Sequence, residues 1–256
     1  MRPSDEQRRP PGPEPWWADA WEIDFAADSG VGGFVRLALL PAQGVAWWWT
    51  GLLTPRLVAV RDHEVPLPRA GLEVRADGLW GELVCETPLE HWSVGLEAFG
   101  VAYDDLSSAW GDEWGERLPV GLDLEWEATA EPGGVPPAGP APPADGGVGY
   151  AQPGRVHGEI LVGPDRIPIS GTGFRSRASG VLDWWADRPQ RRLAWVTADG
   201  AGVADAREDR ATAVLGEAPL LVTAPGRPAV RLARALCRVD GSAGGTGWAE
   251  RFPVPP

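Results

Sequence analysis

Apolar runs that rarely continue unbroken beyond about a strand's length before a Gly, Pro or Asp govern what this chain can become. WEIDFAA, GFVRLALLP, GVAWWWTGLL, RLVAVRDHEVPLP, GLEVRA and GLWGELVCETP follow one another through the first third of the sequence. Each lacks the 3.6-residue repeat of an amphipathic helix and reads as a strand bounded by turn residues. GLDLEWEATA sets Leu122, Leu124 and Trp126 against Asp123, Glu125 and Glu127, the alternation of a strand with one face in a core and one in water. YAQPGRVHGEILVG, RIPISGTGF, RRLAWVTADG, PLLVTAPG, AVRLARALCRVDG and GWAERFPVP repeat the texture, and only LARALC reads equally well as helix. The expected class is mainly β, with two antiparallel barrel-like halves in tandem.

Two segments depart from that pattern. Residues 1–15 are polar and proline-rich, which predicts a disordered arm. EPGGVPPAGPAPPADGG, residues 131–147, has no periodicity and predicts a proline-stiffened linker or long loop. The expected organisation is therefore a first β domain over 16–130, a connection over 131–149 and a second β domain over 150–256. The 34 Gly and 27 Pro of 256 residues are spread among apolar runs, which suits many short strands better than disorder.

Charge and residue types exclude several functions. A formal charge of -13, with no arginine stripe to offset it, disfavours a phosphate backbone or an anionic membrane surface as partner. No apolar run is long enough to span a bilayer, and the first residues lack the apolar core of a secretion signal, so the expected location is cytoplasmic. Every basic residue is Arg, and the absence of Lys removes Schiff-base and cofactor-aldimine chemistry. Cys85 and Cys237 are too few for a disulfide framework, and His63, His91 and His157 show no metal-ligand spacing. Neither a metal nor an organic cofactor is expected.

Tryptophan is the compositional anomaly, at 15 residues against 2 Tyr and 5 Phe. On a strand, Trp47 and Trp49 share one side and Trp48 takes the other, so the Trp triplet sends an indole to each face of a sheet. Trp47 and Trp49 are candidates for the aromatic wall of a ligand pocket, with core packing as the alternative. Gln152 opens an alternating strand and is placed to direct a polar group into a cleft. His157 and Glu159, two residues apart, share a face and form a candidate base and orienter.

YAQPGRVHGEILVG, the GTGxR segment and GVxDWW together resemble the second half of the two-domain lipocalin-like family of hydroxyneurosporene synthase (carotenoid hydratase), AttH-like proteins and related Diels-Alderase-type cyclases. GVGGFVRLALLP, GVAWWW, EHWSVGLEAFGVAYDD and GTGWAERFP resemble other parts of that family, so the likeness runs through residues 16–256. It implies two lipocalin-like barrels in tandem and an isoprenoid, lipid or polyketide-like substrate. The family's signature runs Arg-Asp-His-Ser-Trp-Gly-Val-Arg-Asp-Trp. Here Arg175, Gly180, Val181, Asp183 and Trp184 keep its frame, while Ser176, Arg177, Ala178 and Ser179 replace its Asp-His core. Serine is no acid near neutral pH and arginine stays protonated, so the family's acid chemistry is expected to be lost. Arg175 and Arg177 remain able to donate hydrogen bonds to a ligand oxygen. Trp184 and Trp185 flank the altered motif as further ligand candidates, and Asp183 is a candidate acid or an anchor for Arg175. Three readings stay open: a binder of a hydrophobic small molecule; a hydratase, isomerase or cyclase using Arg175, Asp183 or His157 with Glu159; and a protein-interaction module.

Overall fold

A computed structural model describes residues 1–110, 115–133, 148–181, 184–185, 190–197, 200–205, 211–240 and 245–252. The apolar runs become strands β1 (Trp17–Ala27), β2 (Gly32–Leu40), β3 (Val45–Leu53), β4 (Leu57–Pro66), β5 (Glu73–Ala76), β6 (Leu79–Thr87), β7 (His91–Tyr103), β8 (Glu116–Ala128), β9 (Val148–Val162) and β10 (Asp165–Val181). They form one ten-stranded sheet in the order β4-β3-β2-β1-β10-β9-β8-β7-β6-β5. Leu57–Ala59 of β4 also pair with Val101–Tyr103 of β7, closing a ring of β1, β2, β3, β4, β7, β8, β9 and β10. Every pairing in that ring is antiparallel. A second, five-stranded sheet has the order β12 (Gly200–Asp205), β11 (Gln190–Thr197), β15 (Gly245–Phe252), β14 (Val230–Val239), β13 (Ala211–Val222).

The ring does not stop at the connection. β9 and β10, in the half expected to form a separate domain, pair with β8 and β1 and complete the first sheet. Gly133, near the start of the connection, bridges to Ala151 just after it. Most of the connection, residues 134–147, lies outside the described residues. LARALC is strand β14, not helix. Leu, Ala and Arg favour helix only weakly, and pairing with β13 and β15 on either side overrides that preference.

Burial explains the two textures of the sequence. On β8, Val120, Leu122, Leu124 and Trp126 face the ring interior while Asp123 and Glu127 face water. On β1 and β2 every residue but Trp17 is buried, because the second sheet covers the outer face there. The interior core gathers Trp21, Ile23, Phe25, Leu37, Trp48, Trp92, Leu96, Leu124 and Trp126. The core between ring and second sheet gathers Phe34, Trp47, Trp49, Trp184, Leu220, Leu232, Trp248 and Phe252. Trp48 thus points in, and Trp47 and Trp49 point out, as alternation requires.

Candidate functional site: an aromatic groove and a buried arginine cage

Residues expected to line one cleft divide across the ring wall. Gln152, Arg175 and Arg177 are buried with the interior aromatics, whereas Trp47, Trp49 and Trp184 lie in the core between the sheets.

Outside the ring, a groove of about 610 Å³ opens between β3, β4 and the segment Thr223–Pro225 that follows β13. Trp16, Val45, Trp47, His63 and Ala224 supply its apolar wall, and Gln43, Arg61, Asp62, Glu64 and Thr223 its polar rim. A β-bulge shapes it: Ala46 pairs with Val65 and Trp48 with Asp62, so His63 and Glu64 together oppose Trp47. Asp62 fixes the bulge by accepting the Glu64 N–H at 2.8 Å. The tryptophans form a continuous series, with centroid separations of 4.5 Å (Trp185–Trp16), 6.5 Å (Trp16–Trp47), 5.8 Å (Trp47–Trp49) and 5.5 Å (Trp49–Trp184). Arg227 sits over Trp16 and Trp185 at 5.5 and 5.3 Å. The expected pocket residues Trp47 and Trp185 reach the groove wall or its flank, while Trp49 and Trp184 pack behind it.

His63 is held at the groove floor. Trp49 Nε1–H donates to its Nε2 at 2.8 Å, which leaves the ring proton on Nδ1, facing Thr223 Oγ1 at 3.2 Å. Its ring lies 5.0 Å from that of Trp47. Burial, helped by the Arg61 charge, brings its pKa down to about 4, so the imidazole is neutral near pH 7. Nothing in the sequence around His63 marks it as a groove residue, because a lone histidine carries no motif.

Inside the ring, Arg175 on β10 is enclosed. Its guanidinium lies 5.2, 5.1 and 5.2 Å from the rings of Trp92, Trp126 and Tyr150. Nη1 pairs with Glu6 Oε2 at 2.9 Å, and Nη2 donates to Glu6 Oε1 at 3.1 Å and to Gln152 Oε1 at 2.8 Å. Glu6 also accepts Trp92 Nε1–H at 2.8 Å and the Tyr150 hydroxyl. Gln152 is anchored in turn by donating to Leu89 O at 2.7 Å and Ala130 O at 2.9 Å. Arg177, next inward on the same strand, pairs with Asp19 and lies 3.9 Å from the Trp21 ring. Burial raises the Asp19 carboxyl above its usual range, against the opposing pull of Arg177.

The segment expected as a disordered arm supplies the counter-ion. Residues 3–6 form a short 3-10 turn that carries Glu6 into the ring. A buried guanidinium must be paired, and that requirement orders the segment. No sequence pattern marks Glu6, which sits among prolines and charges. His157 and Glu159 do share a face, but it is the outer one: His157 is exposed and Glu159 pairs with Arg166. They take no part in the cage or the groove. Asp183 lies outside the described residues. Of the cysteines, Cys85 is half-buried and Cys237 buried, and both are free.

A third buried cluster joins the sheets. Arg234 on β14 donates to Glu22 at 2.8 Å and lies 3.6 Å from Asp24, both on β1, and 3.7 Å from Glu250 on β15. Arg36 pairs with Glu22 at 3.2 Å. No group of His, Cys, Asp and Glu among the described residues is arranged to hold a metal ion.

A family profile described as "Domain of unknown function (DUF7064)" matches residues 2–202, most of the chain. The chain belongs to the DUF7064 family. The DUF7064 match takes in the segment carrying Glu6, the whole ring and β11, so the cage and most of the groove lie within the family's domain. A search of curated proteins finds no match. The crystal structure of an AttH-type protein from Nitrosomonas europaea superposes with a TM-score of 0.53 at 12% identity, covering 93% of each chain. Kievitone hydratase from Nectria haematococca matches with a TM-score of 0.41 at 11% identity, covering 92% of this chain and 88% of its own. The AttH-type likeness shows the fold: the lipocalin-like, antiparallel all-β class expected from the sequence is the class of this DUF7064 protein.

Proposed function

We propose that this protein binds an apolar, flat or polyene-like small molecule in the groove between ring and second sheet. The observation that carries the reading is the groove itself: about 610 Å³, walled by Trp16, Trp47 and His63, with a few polar groups on its rim. Volume and lining are those of a small-molecule site. Binding is favoured over acid catalysis because His63, the groove residue best suited to moving a proton near neutral pH, has both ring nitrogens engaged by Trp49 and Thr223. The buried carboxylates Glu6 and Asp19 are inside the ring, paired to Arg175 and Arg177. A neutral imidazole beside two indoles gives a ligand a dry stacking surface without an opposing charge.

Titration with all-trans retinol, read by quenching of tryptophan emission, tests the reading. Saturation near one equivalent is expected, with binding at least tenfold weaker in Trp16→Ala, since Trp16 is half-buried and packs against the edge of the inter-sheet core rather than within it. Non-saturating quenching, or identical binding by Trp16→Ala, would remove the groove as the site. Hydration of an added polyene by the wild-type protein would instead favour the hydratase reading.

A further inference from the structure

We propose that the Arg175 cage is a binding site for the carboxylate of a small apolar monocarboxylate, which residues 1–9 now occupy through Glu6 as an intramolecular competitor. This site is separate from the groove and does not depend on it.

The cage has the make-up of a carboxylate receptor. Two guanidinium nitrogens of Arg175, the Tyr150 hydroxyl and Trp92 Nε1 all converge on one carboxylate, and the Arg contact is bidentate. The receptor is held in place by parts that do not move with its occupant. Gln152 grips Arg175 and is itself tied to two backbone carbonyls, and the surrounding rings belong to ring strands.

The occupant is held differently. Of residues 1–15 only Glu6 is buried, and the remainder are exposed or half-buried. The segment's other attachments are polar: Arg177 Nη2 to Gln7 O at 3.0 Å, Arg8 Nη1 to Pro68 O at 3.0 Å, and Arg9 N to Asp19 Oδ2 at 2.8 Å. A segment with almost no buried apolar surface is the kind that opens locally at small cost. What opposes opening is the guanidinium left buried without a counter-charge. Another carboxylate removes that opposition, so departure of Glu6 and entry of an acid are coupled. The rest of the interior is filled by Trp21, Trp48, Leu96 and Leu124, so only a head group enters. The apolar stem then follows the course vacated by residues 4–9.

The test compares 1-pyrenebutyrate with the neutral 1-pyrenebutanol, by quenching of tryptophan emission, in the wild-type chain and Glu6→Ala. Removing the competitor should tighten pyrenebutyrate binding at least tenfold while leaving pyrenebutanol unchanged. Adding Arg175→Met to Glu6→Ala should abolish that gain. Equal gains for acid and alcohol, or none for the acid, would overturn the proposal. Binding in the groove cancels in the comparison, so failure of either site is read separately. If Glu6→Ala fails to fold, the wild-type chain decides: pyrenebutyrate, but not pyrenebutanol, should speed hydrogen exchange over residues 2–9. Unchanged exchange with both probes would overturn it.

Discussion

His63 shows how one side chain ties stability to the groove. Its pKa of about 4 is below the ordinary histidine value of 6.5, so the folded state disfavours its protonation. Its contribution is complete above about pH 6.5 and is lost as pH falls from there through 4. Melting temperature of the wild type should therefore fall more steeply across that window than that of His63→Gln. Parallel curves would show that the imidazole is not held neutral. Cys85 gives a second check at this scale. Burial, then the Glu6 charge, push its thiol up to about 11. It should react slowly with Ellman's reagent at pH 8 in the native protein, and faster in Glu6→Gln. Neither environment was visible in the sequence. That Trp47 and Trp49 share a face opposite Trp48 was legible from alternation, but which face is the outer one was not, and nothing local placed His63 beside them, since that depends on a bulge in the neighbouring strand.

At the level of elements, β10 explains the segment GTGFRSRASGV. It runs between β9 and β1, and a Cβ on Gly173 would come within 1.8 Å of Asp24 O. Gly171 is equally confined, 2.1 Å from Ala26 O. These glycines let β1 approach and bring Asp19 to Arg177 and Ile23 opposite Arg175. Gly173→Ala should destabilise the protein by about 1–3 kcal/mol through overpacking, read as a lower denaturant midpoint. The glycines and arginines of this stretch stood out in the sequence, and alternation puts Gly171, Gly173, Arg175 and Arg177 on one face without saying that it is the interior one. Their partners did not stand out. Glu6 is more than 160 residues away and is recruited by a buried charge rather than by any local pattern. The strand character of β8 was plain from its alternation, whereas β14 was ambiguous because both its faces are covered.

Across the whole molecule, the two sheets are joined by apolar packing around a buried ionic cluster. Arg234 reaches three carboxylates on two strands of different sheets, with its guanidinium 4.2 Å from the Phe34 ring. Arg234→Met strands buried carboxylates and should cost about 3–5 kcal/mol of stability, with the second sheet losing hydrogen-exchange protection first. The pairing of β9 and β10 with strands of the first half was beyond sequence reading, because long-range pairing is set by register and not by composition. Native mass spectrometry of gently purified protein tests whether the groove between the two sheets holds an apolar molecule. One extractable apolar compound per chain is expected, lost in Trp16→Ala. A bare chain mass that stays bare after incubation with retinol would contradict it.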